Sequence, residues 1–274
     1  MEELQYCYFE VPNIKAWQIM QITQDWLYKV INHSFIENHS IETEKEKIPI
    51  VPWVLMLESL FDYFWLDLLN QPYEAEFNSF LKPEDIVNFY FSGNEYGIKK
   101  QKENIVKLKK LDKCEYPDFN FSQKTIKTHL ENINHIENTG QLFQKDNFSL
   151  VNKITSYHLN SNTLWKNDIF LGTYNDIIDN PFLLIEFAAQ SASLMASHFL
   201  KNKIITLKQV SFKFLNQIEN KISPSVKWKV ISIDKRTASI WFEIYQKWEK
   251  KTICYWQLKW DIISPKILTR LLKK

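Results

Sequence analysis

The chain has 274 residues, enough for one large domain or two of ordinary size. Hydrophobic residues make up 45% and aromatic ones 15%, with 10 Trp, 12 Tyr and 19 Phe, which supports a packed core and excludes global disorder. The net charge of +2, from 34 basic and 32 acidic residues, calls for no nucleic acid partner, and the 4 Gly form no phosphate-cradling loop or dinucleotide fingerprint.

The N-terminus, Met1-Glu2-Glu3-Leu4, has neither the basic nor the apolar region of a secretion signal. No apolar run approaches about 18 residues, so no membrane-spanning helix is expected. Cys7, Cys114 and Cys254 are widely separated and form no Cys-x-x-Cys or Cys/His zinc spacing, so no metal site is expected. An odd cysteine count without a signal points to free thiols and a cytoplasmic location.

The first strong element is a helix from Trp53 to about Leu69, dense in apolar residues and interrupted by Asp62 and Asp67, with Pro72 just beyond its end. Alternating segments follow at Tyr73 to Phe80 and Asp85 to Phe91, with Lys82-Pro83-Glu84-Asp85 as the turn. Lys99-Lys100-Gln101-Lys102 and Lys107-Leu108-Lys109-Lys110 form a basic stretch. It reads as a solvated strand or hairpin, or as a landing surface for an acidic partner. The region from about 111 to 140 lacks either periodicity and is read as a connector.

A second helix is expected from Phe182 to about Leu200, with Pro181 suited to its first turn. It is apolar on nearly every face and rich in Ala and Ser, the pattern of a helix wrapped by other structure. Strands follow at Ile204–Phe214, Val226–Ile233, Ala238–Gln246 and Thr252–Ile262, with breaks at Asp234-Lys235-Arg236 and Lys247 to Lys251. Each half therefore reads as a long buried helix followed by antiparallel strands. Each helix carries one carboxylate in matching surroundings. Glu58 ends Leu55-Met56-Leu57-Glu58, and Glu186 ends Leu183-Leu184-Ile185-Glu186, 128 positions later. A charge in an apolar helix is costly to bury without a partner or a task.

These residues resemble the hotdog-fold acyl-thioester family, above all the 3-hydroxyacyl-(acyl-carrier-protein) dehydratases, whose pattern runs H-F-P-x-x-P-x-x-P-G-x-L-x-x-E-x-x-A-Q. Pro49-Ile50-Val51-Pro52-Trp53-Val54-Leu55-Met56-Leu57-Glu58 is similar to its later part, and Glu186-Phe187-Ala188-Ala189-Gln190 to its end. Gln144 to Ile154 is similar to the family's opening segment. Phe77 to Asp85 resembles a later strand element, and Val210 to Phe214 resembles the same element more loosely. The resemblance spans about 26–110 and 142–262. It implies an α+β double hotdog of two curved antiparallel sheets, each wrapping a long central helix. The first unit would be 1–110, the connector 111–141 and the second unit 142–274, paired as a pseudo-dimer within one chain and open to further oligomerisation.

The pattern departs from the family at its catalytic His, fourteen residues before the Glu. Those positions hold Glu44 in the first half and Gly172, with Thr173 next, in the second; His39 and His158 lie farther away. The family's Gly, five before the Glu, offers a backbone N–H to the thioester carbonyl. Here Trp53 stands in its place, and in the second half Pro181, which has no N–H.

The resemblance implies Glu186 and Glu58 as catalytic carboxylates, with Gln190, Trp53, Thr173 and Gly172 toward the substrate and no cofactor. A carboxyl entering an apolar groove is pushed by desolvation toward its neutral form, which suits a general acid or base. Three functions follow. One is a dehydratase-like protein acting on acyl-carrier-protein or CoA thioesters in fatty-acid, polyketide or polyene biosynthesis. Another is a hotdog thioesterase using a lone helix carboxylate. The third is a non-catalytic partner that binds an acyl carrier protein, a dehydratase or a synthase. Loss of His in both halves favours the second and third, because dehydration needs both a base and an acid.

Overall fold

The computed structural model describes residues 8–15, 40–42, 47–69, 71–82, 84–113, 136–137, 153–154, 156–158, 169–173, 181–200, 203–218, 224–246 and 251–271. The Gln144 to Asn152 part of the family-like opening, most of the connector, His39, Glu44, Cys7 and Cys114 lie outside them. In chain order the elements are β1 (Tyr8–Lys15), β2 (Ser40–Glu42), β3 (Lys47–Pro49), α1 (Trp53–Phe64), β4 (Tyr73–Phe77), β5 (Ile86–Ser92), β6 (Glu95–Lys100), β7 (Glu103–Lys110), β8 (Ile136–Glu137), β9 (Lys153–Ile154), β10 (Ser156–His158), β11 (Ile169–Thr173), α2 (Pro181–Phe199), β12 (Ile204–Phe214), β13 (Pro224–Ile233), β14 (Thr237–Gln246), β15 (Lys251–Ile263) and α3 (Pro265–Leu271).

Eleven of the strands form one antiparallel sheet in the order β1-β5-β6-β7-β4-β12-β15-β14-β13-β11-β10. The first five strands, read inward, repeat the path of β11-β13-β14-β15-β12. In each half one strand precedes the helix, the strand after the helix lies at the centre, and the next three fill the space between them. The halves meet where β4 pairs with β12, Tyr73 opposite Phe212 and Ala75 opposite Val210. The expected pair of sheets is thus one continuous sheet. Ser211 Oγ donates to Glu74 Oε2 at 3.1 Å across this seam.

Strand periodicity explains which faces are covered. On β14, Ile240, Phe242 and Ile244 are fully buried and sit opposite Leu258, Trp256 and Cys254 of β15. Both helices are engulfed: α1 is buried without a break from Val54 to Phe61 and α2 from Leu184 to Ala192. Aromatic rings fill the space at the seam. Phe212 stacks on Trp256 at 5.1 Å and on Tyr73 at 5.8 Å.

Helix α1 ends at Phe64 rather than near Leu69. Trp65 takes a left-handed conformation (φ 52, ψ 46), and both its N–H and that of Leu66 bond to the Phe61 carbonyl, closing the helix. The turn expected at 234–236 joins β13 to β14. There Asp234 Oδ1 accepts from the N–H groups of Arg236 (2.6 Å) and Thr237 (2.8 Å). The basic stretch is the β6–β7 hairpin, where Lys107 and Lys109 approach Glu95 at 3.9 and 3.7 Å and Lys100 meets Asp85 at 2.8 Å. Its lysines are thus partly offset by their own neighbours. No helix among the described residues is long and apolar enough to cross a membrane.

Candidate functional site

Helix α1 starts where Pro52 (φ −59, ψ 138) hands its carbonyl to the N–H groups of Leu55 (3.1 Å) and Met56 (3.3 Å). The preceding residue is anchored: Val51 N–H donates to the Leu81 carbonyl at 2.8 Å. No acidic side chain occupies the first turn, so the positive end of the helix dipole is left to whatever approaches it. Trp53 is half-buried, with its ring edge-on to Phe77 at 5.6 Å. The bulky ring therefore packs toward β4 while the residue keeps its backbone N–H.

Further along α1, Glu58 is 3% exposed. Its neighbour Ser59, fully buried, turns its hydroxyl onto the Met56 carbonyl at 2.8 Å. Three residues on, Phe61 meets Tyr73 at 4.8 Å, Phe212 at 5.9 Å and, on the other helix, Phe182 at 5.4 Å.

Helix α2 begins with Pro181, whose missing N–H costs nothing at the first helical position. Glu186 is 1% exposed and Gln190 is fully buried. They stand one turn apart, and Gln190 Nε2 donates to Glu186 Oε1 at 2.9 Å. The amide fixes one carboxylate oxygen on a helix where Phe187, Ala188, Ala189 and Ala192 are also buried. Ser191, also fully buried, donates its hydroxyl to the Phe187 carbonyl at 2.8 Å, so this interior polar group is hydrogen-bonded to the helix itself.

The Phe61–Phe182 contact ties the two carboxylates together in the fold. Glu58 lies three residues from Phe61 and Glu186 four from Phe182, so each shares a helix face with the ring that bridges to the other helix. The halves are not equivalent at the next turn. Where α2 has the buried Gln190, α1 has Asp62, which lies at the surface. The organised carboxylate–amide pair belongs to α2.

Gly172 and Thr173 lie at the end of β11, opposite Val226 and Ser225 of β13. His158 is on β10 opposite Ile169, at the far end of the sheet order from the seam. Two other reactive groups are set aside by burial. It pushes the Tyr73 hydroxyl up to about 12, with Tyr96 and Asp67 adding to the effect, so the group is a neutral donor, here to the Asp67 carbonyl at 2.9 Å. Burial also pushes the Cys254 thiol far above its usual range despite the Trp256 indole N–H directed at its sulfur at 2.8 Å, so it is no nucleophile near neutral pH.

The sequence reading missed the ring bridge between the helices. Phe61 and Phe182 were legible as apolar residues, but nothing in their spacing says that they meet.

No family model matches the chain, and no curated protein matches it in sequence. Solved structures do. The dehydratase domain of a mycocerosic acid synthase-like polyketide synthase matches with a TM-score of 0.60 at 9% identity, over 95% of this chain and 91% of that one. The dehydratase domain from the CurJ module of curacin polyketide synthase matches with a TM-score of 0.58 at 12% identity, over 98% and 96%. A conserved protein of unknown function with a hot dog fold from Alicyclobacillus acidocaldarius matches with a TM-score of 0.50 at 7% identity, over 86% and 100%. At these identities the likeness is one of fold, and this chain has the hotdog fold.

Proposed function

We propose that this chain processes acyl thioesters carried by an acyl carrier protein or CoA, as a dehydratase-like hotdog protein with Glu186 as its reacting carboxylate. The observation that carries the reading is the buried Glu186–Gln190 pair on a helix enclosed by the sheet. The repeated strand order supports two hotdog units, residues 1–110 and 142–274 joined by 111–141, acting as a pseudo-dimer in one chain. A site shared between units would then set Glu186 against the Pro52–Trp53 turn, where the backbone N–H of Trp53 suits a developing oxyanion. Gly172 and Thr173 would border the acyl entrance. The setting would be fatty-acid, polyketide or polyene biosynthesis in the cytoplasm, with a dehydratase or synthase as partner and no cofactor.

The absence of His where the family carries it favours a second chemistry, thioester hydrolysis. Dehydration needs one group to take the proton alpha to the carbonyl and another to protonate the departing hydroxyl. Hydrolysis needs a single base. Glu186 would take a proton from water as the water oxygen bonds to the thioester carbon. The oxyanion then collapses, the C–S bond breaks and the proton passes to the leaving sulfur. Gln190 holds the carboxylate in place throughout.

The test is turnover of 3-hydroxyacyl- and acyl-pantetheine thioesters, with dehydration and hydrolysis read separately by mass. Glu186→Gln keeps the size and removes the charge, and it should lower turnover about 10²–10⁴-fold, with the fold checked by circular dichroism. Glu58→Gln should cost less. Unchanged turnover in both variants refutes a carboxylate mechanism. A wild type that binds an acyl carrier protein but turns over nothing supports the non-catalytic partner instead.

A further inference from the structure

Helix α3 presents two faces of opposite character. Pro265 opens it, and the Ser264 carbonyl receives the N–H groups of Ile267 (3.0 Å) and Leu268 (3.2 Å). Leu268 is buried against Ile50, with Ile48, Phe80, Ile204 and Ile263 around them. Ile50 lies two residues before Pro52, the residue that starts α1. The helix thus braces the stretch that leads into the candidate site.

The other face is in water. Ile267 is 46% exposed and Leu271 42%, so nearly half of each apolar side chain is uncovered. They stand four apart, side by side on the helix, as do the exposed Lys266 and Arg270 next to them. Residues 262–274 contain Lys266, Arg270, Lys273 and Lys274 and no acidic residue. The hairpin lysines Lys100, Lys107 and Lys109 each have a carboxylate within 4 Å, whereas no ion pair among the described residues involves Lys266 or Arg270. This pairing of exposed apolar side chains with uncompensated positive charge is complementary to an acidic surface that has a shallow apolar centre.

We infer that the Lys266–Ile267–Arg270–Leu271 face of α3 is the landing surface for an acidic carrier protein that delivers a thioester-bearing arm to the neighbouring Pro52–Trp53 turn. The partner's identity rests on the function proposed above; the surface itself does not. A protein partner suits the size of the patch better than a membrane does. Leu268 is already committed inward, and two half-exposed side chains are too few for the broad apolar face by which interfacial helices enter lipid.

The experiment measures binding of a stand-alone acidic acyl carrier protein, loaded with an acylated phosphopantetheine arm, to the full chain by calorimetry. Wild type is compared with Lys266→Glu/Arg270→Glu and with Ile267→Ser/Leu271→Ser. Charge reversal should weaken binding at least tenfold, and wild-type binding should weaken between 50 and 300 mM NaCl. Turnover of small acyl-pantetheine thioesters should be unchanged in both variants. Equal binding by wild type and the charge-reversed variant overturns the inference while leaving a thioester activity intact. So does absence of wild-type binding, or wild-type binding to vesicles containing phosphatidylserine in place of the carrier. Binding lost on reversal in a protein that turns over no thioester leaves the landing surface standing and removes the catalytic reading.

Discussion

Gly97 on β6 sits directly opposite Tyr90 of β5, and the tyrosine ring lies across it. A Cβ added there would come within 2.5 Å of Tyr90 Cε1 and 2.6 Å of its Cζ and Oη. Gly97→Ala therefore forces the ring aside. The ring is buried and tethered, because its hydroxyl donates to Glu95 Oε1 at 2.8 Å. Overpacking of this kind costs about 1–3 kcal/mol. Loss of a hydrogen bond to a charged acceptor adds up to about 1.5–3 kcal/mol if the ring leaves altogether. Against this, alanine restricts the unfolded chain and returns about 0.4–1 kcal/mol. A net loss of about 1–3 kcal/mol is expected, which for a chain of this size lowers Tm by roughly 3–10 °C. The assay is thermal and urea unfolding of wild type, Gly97→Ala, Tyr90→Ala and the double variant. With the ring gone, Gly97→Ala should become neutral or slightly stabilising. An equal cost in both backgrounds would show that the ring is not the reason for the glycine.

Trp65 is 92% exposed and holds a left-handed conformation. Trp65→Gly removes about 1–2 kcal/mol of backbone strain and gives back about 0.4–1 kcal/mol through a freer unfolded chain, so Tm should rise by about 1–4 °C; a fall would show that the indole makes contacts worth more than the strain. Asp234 should confer acid sensitivity on the β13–β14 turn. The Arg236 N–H, then the Thr237 N–H and hydroxyl, hold its carboxyl below the usual carboxylate range. A group depressed on folding stabilises fully above its unfolded value, about 3.9, and loses that contribution as pH falls through its folded value. Asp234→Asn should therefore lie below wild type in Tm at pH 7 and converge with it below about pH 4. A gap that stays constant to pH 3 would remove the charge from the explanation.

Both central helices were legible in the sequence because each is apolar over several turns and flanked by proline. The strands of β12 to β15 were legible from alternation in the sequence, as at Ile240, Phe242 and Ile244, although β14 is buried on both faces from Ala238 to Ile244. The end of α1 was not, because Leu66, Leu68 and Leu69 continue the apolar pattern past the left-handed turn at Trp65. Helix α3 escaped notice, being seven residues long with a single buried contact at Leu268. Strand β1, with Pro12 in its middle, reads poorly as a strand, and it belongs at the edge where a missing N–H is tolerated. The union of two halves into one sheet depends on the β4–β12 pairing, a long-range register that neither strand announces. At the site, Glu186 and Gln190 were singled out through the resemblance to the family's motif, and their one-turn spacing lets the amide reach the carboxylate. Their relation to α1 required the Phe61–Phe182 contact.

The two buried carboxylates are the strongest physical argument for function. A fold that needed only a core would fill the positions of Glu58 and Glu186 with leucine or methionine, since replacing buried charged groups by apolar ones of similar volume is often neutral or stabilising. This chain instead keeps a carboxylate on each central helix, each sharing a face with the ring that joins the helices. On α2 it also keeps a buried amide in hydrogen-bond contact with that carboxylate. An amide that merely satisfied a leftover acid would itself be a second polar group to bury. Together they form a costly, oriented pair, and sites of catalysis or binding are where proteins bear such a cost. The amide that orients Glu186, Gln190, is what places the weight on that acid.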